Sequence, residues 1–162
     1  MEGEEHLSRL PFSSMIDEIL TPHRQFDIDI KLVEQSPKAH EPIWNRNAGI
    51  LYGLGNLVEN AVDFARKEVI FTTYHDAERV AITIEDDGPG FAPDVLAHIG
   101  EPYMSKRSRE NETAGGLGLG LFIAKTLLER SGASLRFSNR DGRSSGARIH
   151  IEWPRAAMER DT

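Results

Sequence analysis

The chain of 162 residues is long enough for one domain with a true hydrophobic core, since chains of ~150 residues bury roughly 68–70% of the surface they expose when unfolded. Its 19 Lys plus Arg against 26 Asp plus Glu leave a net charge of −7, which argues against nonspecific binding of DNA, RNA or anionic lipid. No apolar run nears the ~20 residues of a membrane-spanning helix, Met1–Ser14 lacks the order of a signal peptide, and without cysteine there are no disulfides, thiolate metal sites or thiol nucleophiles.

In chain order, the charged opening MEGEEHLSRL is expected to fray. Met15, Ile16, Ile19 and Leu20 recur at helical spacing within Phe12–Arg24, and Pro22 ends or interrupts that helix. Phe26 to Leu32 alternates apolar with polar residues, the period of a half-buried strand. Ser36 to Asn45, with Pro37 and Pro42, reads as a surface loop. A long helix is predicted from about Asn47 to Lys67, with Ile50, Leu51, Leu54, Leu57, Val58, Ala61 and Ala65 as its apolar stripe. Strands at Glu68–Tyr74 and Arg79–Glu85 follow, then a Gly-Pro-Gly turn over Asp86–Gly90 and a short helix over Pro93–Ile99. Met104 to Gly116 has no apolar period and reads as a mobile loop. Leu117–Arg130 is a helix stopped by Gly132, and Ala133–Ser138 and Ala147–Trp153 are a last pair of strands, closed by Pro154.

Hairpin-connected strands mixed with helices predict an α+β fold, a two-layer α/β sandwich with a mixed, mainly antiparallel sheet and helices on one face. One domain is expected over residues 12–154, with 1–11 as a leading remnant or linker and 155–162 as a tail.

Four clusters carry chemistry. Asn56, Glu59, Asn60 and Asp63 line one face of the long helix, which suits an oxygen-loving magnesium–phosphate site and equally an ordinary solvated face. Asp86-Asp-Gly88-Pro-Gly90 directly follows a strand; a carboxylate fixed there could accept from an exocyclic amine such as adenine N6, or the segment is a simple Gly-rich turn. Gly116-Leu-Gly118-Leu-Gly120 opens a helix, where free N–H groups and the helix dipole favour anions. Its spacing is neither G-x-G-x-x-G nor a P-loop. Glu101-Pro-Tyr103-Met-Ser-Lys106-Arg107 sets an aromatic residue before two cations, which could anchor a loop and counter phosphate charge or be a plain surface pair.

Taken together, an Asn pair on a helix, D-x-G-x-G after a strand, a polar loop and G-x-G-x-G opening a helix match the N, G1, F and G2 boxes. The chain resembles the ATP-binding catalytic domain of sensor histidine kinases, in the superfamily shared with gyrase, Hsp90 and MutL ATPases. GNLVENAVDFA and GLGLGLFIAKTLLERSGA are most similar to the RegB/PrrB-type redox-responsive kinases.

The resemblance implies that the catalytic pair is Asn56 and Asn60, with Asn60 holding Mg²⁺ on the triphosphate of ATP and Asn56 assisting at the phosphates. It implies Phe64 near the base, Asp86 accepting from adenine N6, and Gly88 and Gly90 keeping the backbone close to the ring. It also implies Gly116, Gly118, Gly120 and Leu121 around the phosphates, with Tyr103, Lys106 and Arg107 beside them and Met104–Gly115 as a lid. Asp63 departs from the usual Lys or Arg, Tyr103 and Met104 replace a Phe pair, and Ala147 stands where Thr is common. Asn56 occupies the position at which hydrolytic relatives carry a Glu base, and an amide cannot do that work. The implied reaction is γ-phosphoryl transfer to a histidine of the dimerisation domain, then to a response regulator. Residues 1–11 would then be a remnant of, or linker from, the dimerisation helices. None of the six histidines matches the phosphoacceptor motif. Neither nucleic acid nor membrane contact is expected of this segment, which would be a cytoplasmic part of an inner-membrane sensor. The alternatives are an ATP hydrolase of the same fold or a nucleotide-sensing module without catalysis.

Overall fold

The computed structural model describes residues 9–24, 27–99, 115–141 and 145–159, with the side chains of 115–119 outside the description. The elements are β1 (Arg9–Pro11), α1 (Phe12–Leu20), β2 (Asp29–Glu34), β3 (Ile43–Asn45), α2 (Ala48–Phe64), β4 (Glu68–His75), β5 (Arg79–Asp86), α3 (Pro93–His98), α4 (Gly115–Arg130), β6 (Ser134–Asn139), β7 (Ala147–Pro154) and α5 (Arg155–Met158). Short 3₁₀ turns lie at Thr21–His23 and Lys38–His40.

Five strands form the main sheet in the order β2-β4-β5-β7-β6, antiparallel throughout except for the parallel pair β2/β4. A parallel pair needs a crossover, and α2 supplies it. Burial alternates along β4, β5 and β7, so Val69, Phe71, Val80, Ile82, Ile84, Ile149, Ile151 and Trp153 form one buried face. Against that face α1 brings Phe12, Met15, Ile16, Ile19 and Leu20, α2 brings Ile50, Leu54, Leu57, Val58 and Ala61, and α4 brings Leu121, Ala124 and Leu128. The α+β sandwich read from the sequence is the observed architecture.

Helix α2 starts where Asn47, in extended conformation, accepts the Ile50 amide on its side chain at 3.1 Å, and it ends at Phe64 because Ala65 is extended. Helix α4 lies antiparallel beside it: Gly53 meets Leu128, whereas Gly120 faces Asn60. Gly132, at φ +103, ends α4 as expected.

Three differences from the sequence reading have physical causes. Strand β2 runs from Asp29 to Glu34, starting three residues and ending two residues later than the alternation suggested, because pairing with β4 sets its limits. Ile43–Asn45 is a strand paired with Arg9–Pro11, within segments read as loop and frayed end. Chains of three residues are too short to show a period. Finally, the fold does not close at Pro154: α5 follows and buries Met158 in the core, so one core residue falls in the segment expected to be a tail.

Candidate functional site

The site is built where the C-terminal end of α2, the turn after β5 and the start of β7 meet. Gly88 is buried, and a Cβ there would collide with the carbonyl of Phe64, so only glycine lets the turn rest on the last residue of α2. Gly146, at φ +130, likewise brings the backbone ahead of β7 against the Asp86 carbonyl.

Asp86, at the end of β5, is only 5% exposed. Its Oδ1 accepts from Gly88 N at 2.9 Å and Ala147 N at 3.3 Å, and no described residue donates to Oδ2. Burial raises its pKa above the ordinary carboxylate range; the Gly88 and Ala147 amides oppose that, and nearby Asp87 adds to it while Arg140 subtracts. A carboxylate oxygen to which no described residue donates can accept from a bound donor.

Asn60 and Asn56 stand one and two turns back from Phe64 on α2, both half-buried. Neither side-chain amide hydrogen-bonds to a described residue. Asn60 Nδ2 lies 3.8 Å from the position a Gly120 Cβ would occupy, so the start of α4 borders the same hollow. Glu59 and Asp63, expected on one strip with them, are more exposed and turn to solvent. An Asn60 oxygen fits Mg²⁺, which takes oxygen ligands and commonly only one or two from protein. Among the described residues no three His, Asp or Glu converge on a metal, so such an ion would share its shell with phosphate and water.

The structure thus brings Asn56, Asn60, Phe64, Asp86, Gly88 and Gly120 together. Gly90, at φ +81, packs instead against Asn139, where a Cβ would lie 2.8 Å from Oδ1. Leu121 points into the core. Gly116 and Gly118 lie in the first turns of α4, which begins at Gly115, two residues earlier than expected. Tyr103, Lys106, Arg107 and the lid through residue 114 lie outside the described residues.

Three residues that shape the site were not singled out in the sequence. Asp87 accepts the amides of Arg66, Lys67 and Glu68 at 2.6–3.3 Å and so ties the end of α2 to the Asp86 turn. Asn139 clips the same turn from the other side, accepting Phe91 N at 2.7 Å and donating to Phe91 O at 2.9 Å. Arg140 Nη1 donates to the Asp86 carbonyl at 3.3 Å. The adjacent aspartates were a visible signal for the first; Asn139, the last residue of β6, and Arg140 just after it carry no local pattern.

A family model described as "Histidine kinase-, DNA gyrase B-, and HSP90-like ATPase" matches residues 47–157. The chain belongs to that family. Among curated relatives, the Sensor histidine kinase RegB of Cereibacter sphaeroides is 34% identical over 91% of this chain and 36% of its own length. Of the solved structures, full-length ShkA in complex with AMPPNP is 27% identical, with a TM-score of 0.69 over 91% of this chain and 31% of ShkA. The mycobacterial sensor histidine kinase MprB is 24% identical, with a TM-score of 0.71 over 90% of this chain and 95% of that structure. The chain spans about a third of the length of the RegB relatives it matches. As expected from the four boxes, it is an ATP-binding domain of the histidine kinase type. No helix among the described residues is long and apolar enough to cross a membrane.

Proposed function

We propose that this domain binds Mg·ATP and presents the γ-phosphate to a histidine on a dimerisation domain, from which it passes to an aspartate of a response regulator. The observation that carries this reading is a row of polar groups to which no described residue hydrogen-bonds: Asp86 Oδ2 beside the end of α2, then the Asn60 and Asn56 amides along that helix. Adenine N6 would donate to Asp86 Oδ2, with Phe64 and the Gly88 backbone beside the ring. The triphosphate would then run back along α2 past Asn60 to Asn56. Asn60, with the phosphates and water, would hold Mg²⁺, which offsets charge on the phosphate oxygens. Gly116, Gly118 and Gly120 at the start of α4, and Tyr103, Lys106 and Arg107 before it, would close over the phosphates.

In the transfer, an imidazole nitrogen attacks the γ-phosphorus, the bond to the β-phosphate oxygen breaks, ADP departs, and the ring proton leaves to solvent. Asn56 positions without taking a proton, because an amide is no general base. Catalysis is therefore positioning and charge neutralisation. The domain would extend beyond residues 12–154 to include β1 and α5, and would face the cytoplasm in a membrane-bound sensor.

Calorimetry with Mg·ATP and Mg·GTP side by side tests the reading. The native chain should bind ATP and discriminate against GTP, whose carbonyl would leave the buried carboxylate unpaired. Asp86→Asn should weaken ATP binding on the order of tenfold to a hundredfold, the scale of a lost charge-assisted hydrogen bond. Equal affinity of native and Asp86→Asn for ATP would refute the assignment.

A further inference from the structure

The inward face of β4 is apolar for two residues and polar for the next two. Burial alternates along the strand, so Val69, Phe71, Thr73 and His75 share that face. The first pair enters the core, whereas the second lines a cavity of about 230 Å³ between α1, the end of β2 and the segment around Lys38. The cavity stands apart from the nucleotide site. Asp86 pairs with Val69, and Thr73 lies four residues further along β4, about 13 Å away.

Thr73 is 6% exposed, no described residue hydrogen-bonds to its hydroxyl, and that oxygen is not sealed from solvent. A hydroxyl so placed can donate to or accept from a molecule in the cavity. His75 beside it has its pKa lowered by burial, so at pH 7 the ring is neutral and keeps one acceptor nitrogen. Three carboxylates line the same cavity, Asp17, Glu34 and Glu41, against one ammonium, Lys38. Glu41 is engaged by Ser13, whose amide donates at 2.9 Å and hydroxyl at 3.1 Å, but no described residue pairs with the side chain of Asp17 or Glu34. Ionised carboxylates only accept, so the cavity is rich in acceptors and carries negative charge. Ile16 and Leu32 add an apolar wall.

We propose that this cavity is a second ligand site, which takes a short aliphatic amine in its protonated form. The ammonium N–H groups donate to Thr73 Oγ1 and to the carboxylates of Asp17 and Glu34, and the methylene stem lies against Ile16 and Leu32. At ~30 Å³ per water the volume equals about eight waters, room for a small molecule and not for a nucleotide.

Amide NMR spectra of the chain test this at physiological salt and without nucleotide, since amines also pair with phosphates. The probes are diaminobutane, butanediol and succinate, equal in carbon count and opposite or neutral in charge. Diaminobutane should give saturable shifts centred on Ser13, Thr73 and His75, with millimolar affinity at least tenfold tighter than butanediol, and succinate should give none. Thr73→Val, which keeps the side-chain shape without the hydroxyl, and Glu34→Gln, at an exposed position, should each weaken diaminobutane binding at least threefold. Val33→Ser, exposed on the neighbouring position of β2, should leave it unchanged. Shifts that never saturate or that spread over carboxylates elsewhere, butanediol binding as tightly as diaminobutane, or native affinity in both Thr73→Val and Glu34→Gln would overturn the site.

Discussion

Adjacent carboxylates at the end of β5 do opposite things. Asp86 is buried, with one oxygen to which no described residue donates, and burial raises its pKa. Asp87 also loses some hydration, which by itself would raise its pKa, but the amides of Lys67, Arg66 and Glu68 outweigh that and hold it below the ordinary range. Asp87 thus behaves as a cap for the α2–β4 connection. Asp87→Ala should cost about 1–2 kcal/mol, the range for a lost capping carboxylate. Because its folded pKa is depressed, its contribution is complete above the unfolded value of about 3.9 and fades as pH falls through the folded pKa. Melting temperatures of native and variant should therefore differ by a constant amount from pH 6 to 8 and converge below about pH 4. A gap that persisted in acid would show that the carboxylate charge is not what holds the turn.

At the scale of elements, α2 is a two-sided part. Its inner stripe, Leu54, Leu57, Val58 and Ala61, builds the core, while its outer strip holds Tyr52, Gly55 and the site amides. The two glycines make this division measurable. Gly55→Ala should stabilise the domain by about 0.5–1 kcal/mol, since the methyl enters open space and the helix gains propensity. Gly53→Ala should destabilise it by about 1–3 kcal/mol, because the methyl presses on Leu128 and forces α4 away from α2. Denaturant midpoints moving in the same direction for both variants would contradict the α2–α4 packing described. The cap at Asn47 and the antiparallel seating of α4 together fix which helix face looks outward. The same packing brings Gly120 beside Asn60, so a core contact and a site contact are set by one geometry.

Across the whole molecule, the two ends of the described chain are drawn into the fold. Strand β1 pairs with β3, and Arg155 of α5 donates to the carbonyls of His40 at 2.8 Å and Asp76 at 3.0 Å. His75, 8% exposed, sits beside this clasp with its ring edge-on to Phe12 at 6.4 Å. Burial lowers its pKa, Arg155 and His40 lower it further, and Glu41 and the Pro37 carbonyl act the other way. Since the folded state disfavours the protonated ring, the neutral form is fully stabilising above the unfolded pKa of about 6.5. Stability is then lost as pH falls from there toward the folded value. Native protein should therefore melt progressively lower between pH 7 and 5, and His75→Gln should flatten that slope. Parallel melting curves for the two over this range would exclude His75 as the cause.

Much of this was legible in the residue order. The 3.6-residue stripe of α2, the alternation along β4, β5 and β7, and the spacing of Asn56, Asn60, Asp86 and the glycines are local or periodic features, and they determined the fold class and the family by themselves. Tertiary structure decided what has no local period. It paired three-residue β1 with β3, carried the core past Pro154 to Met158, and enlisted Asp87, Asn139 and Arg140 to brace the Asp86 turn. It also separated Gly53 from Gly55, identical in sequence and two positions apart, by placing Leu128 against one and open space beside the other. Each of these depends on which distant segment arrives at a given surface, and a helix or strand pattern encodes only the face that is buried, not the neighbour that buries it.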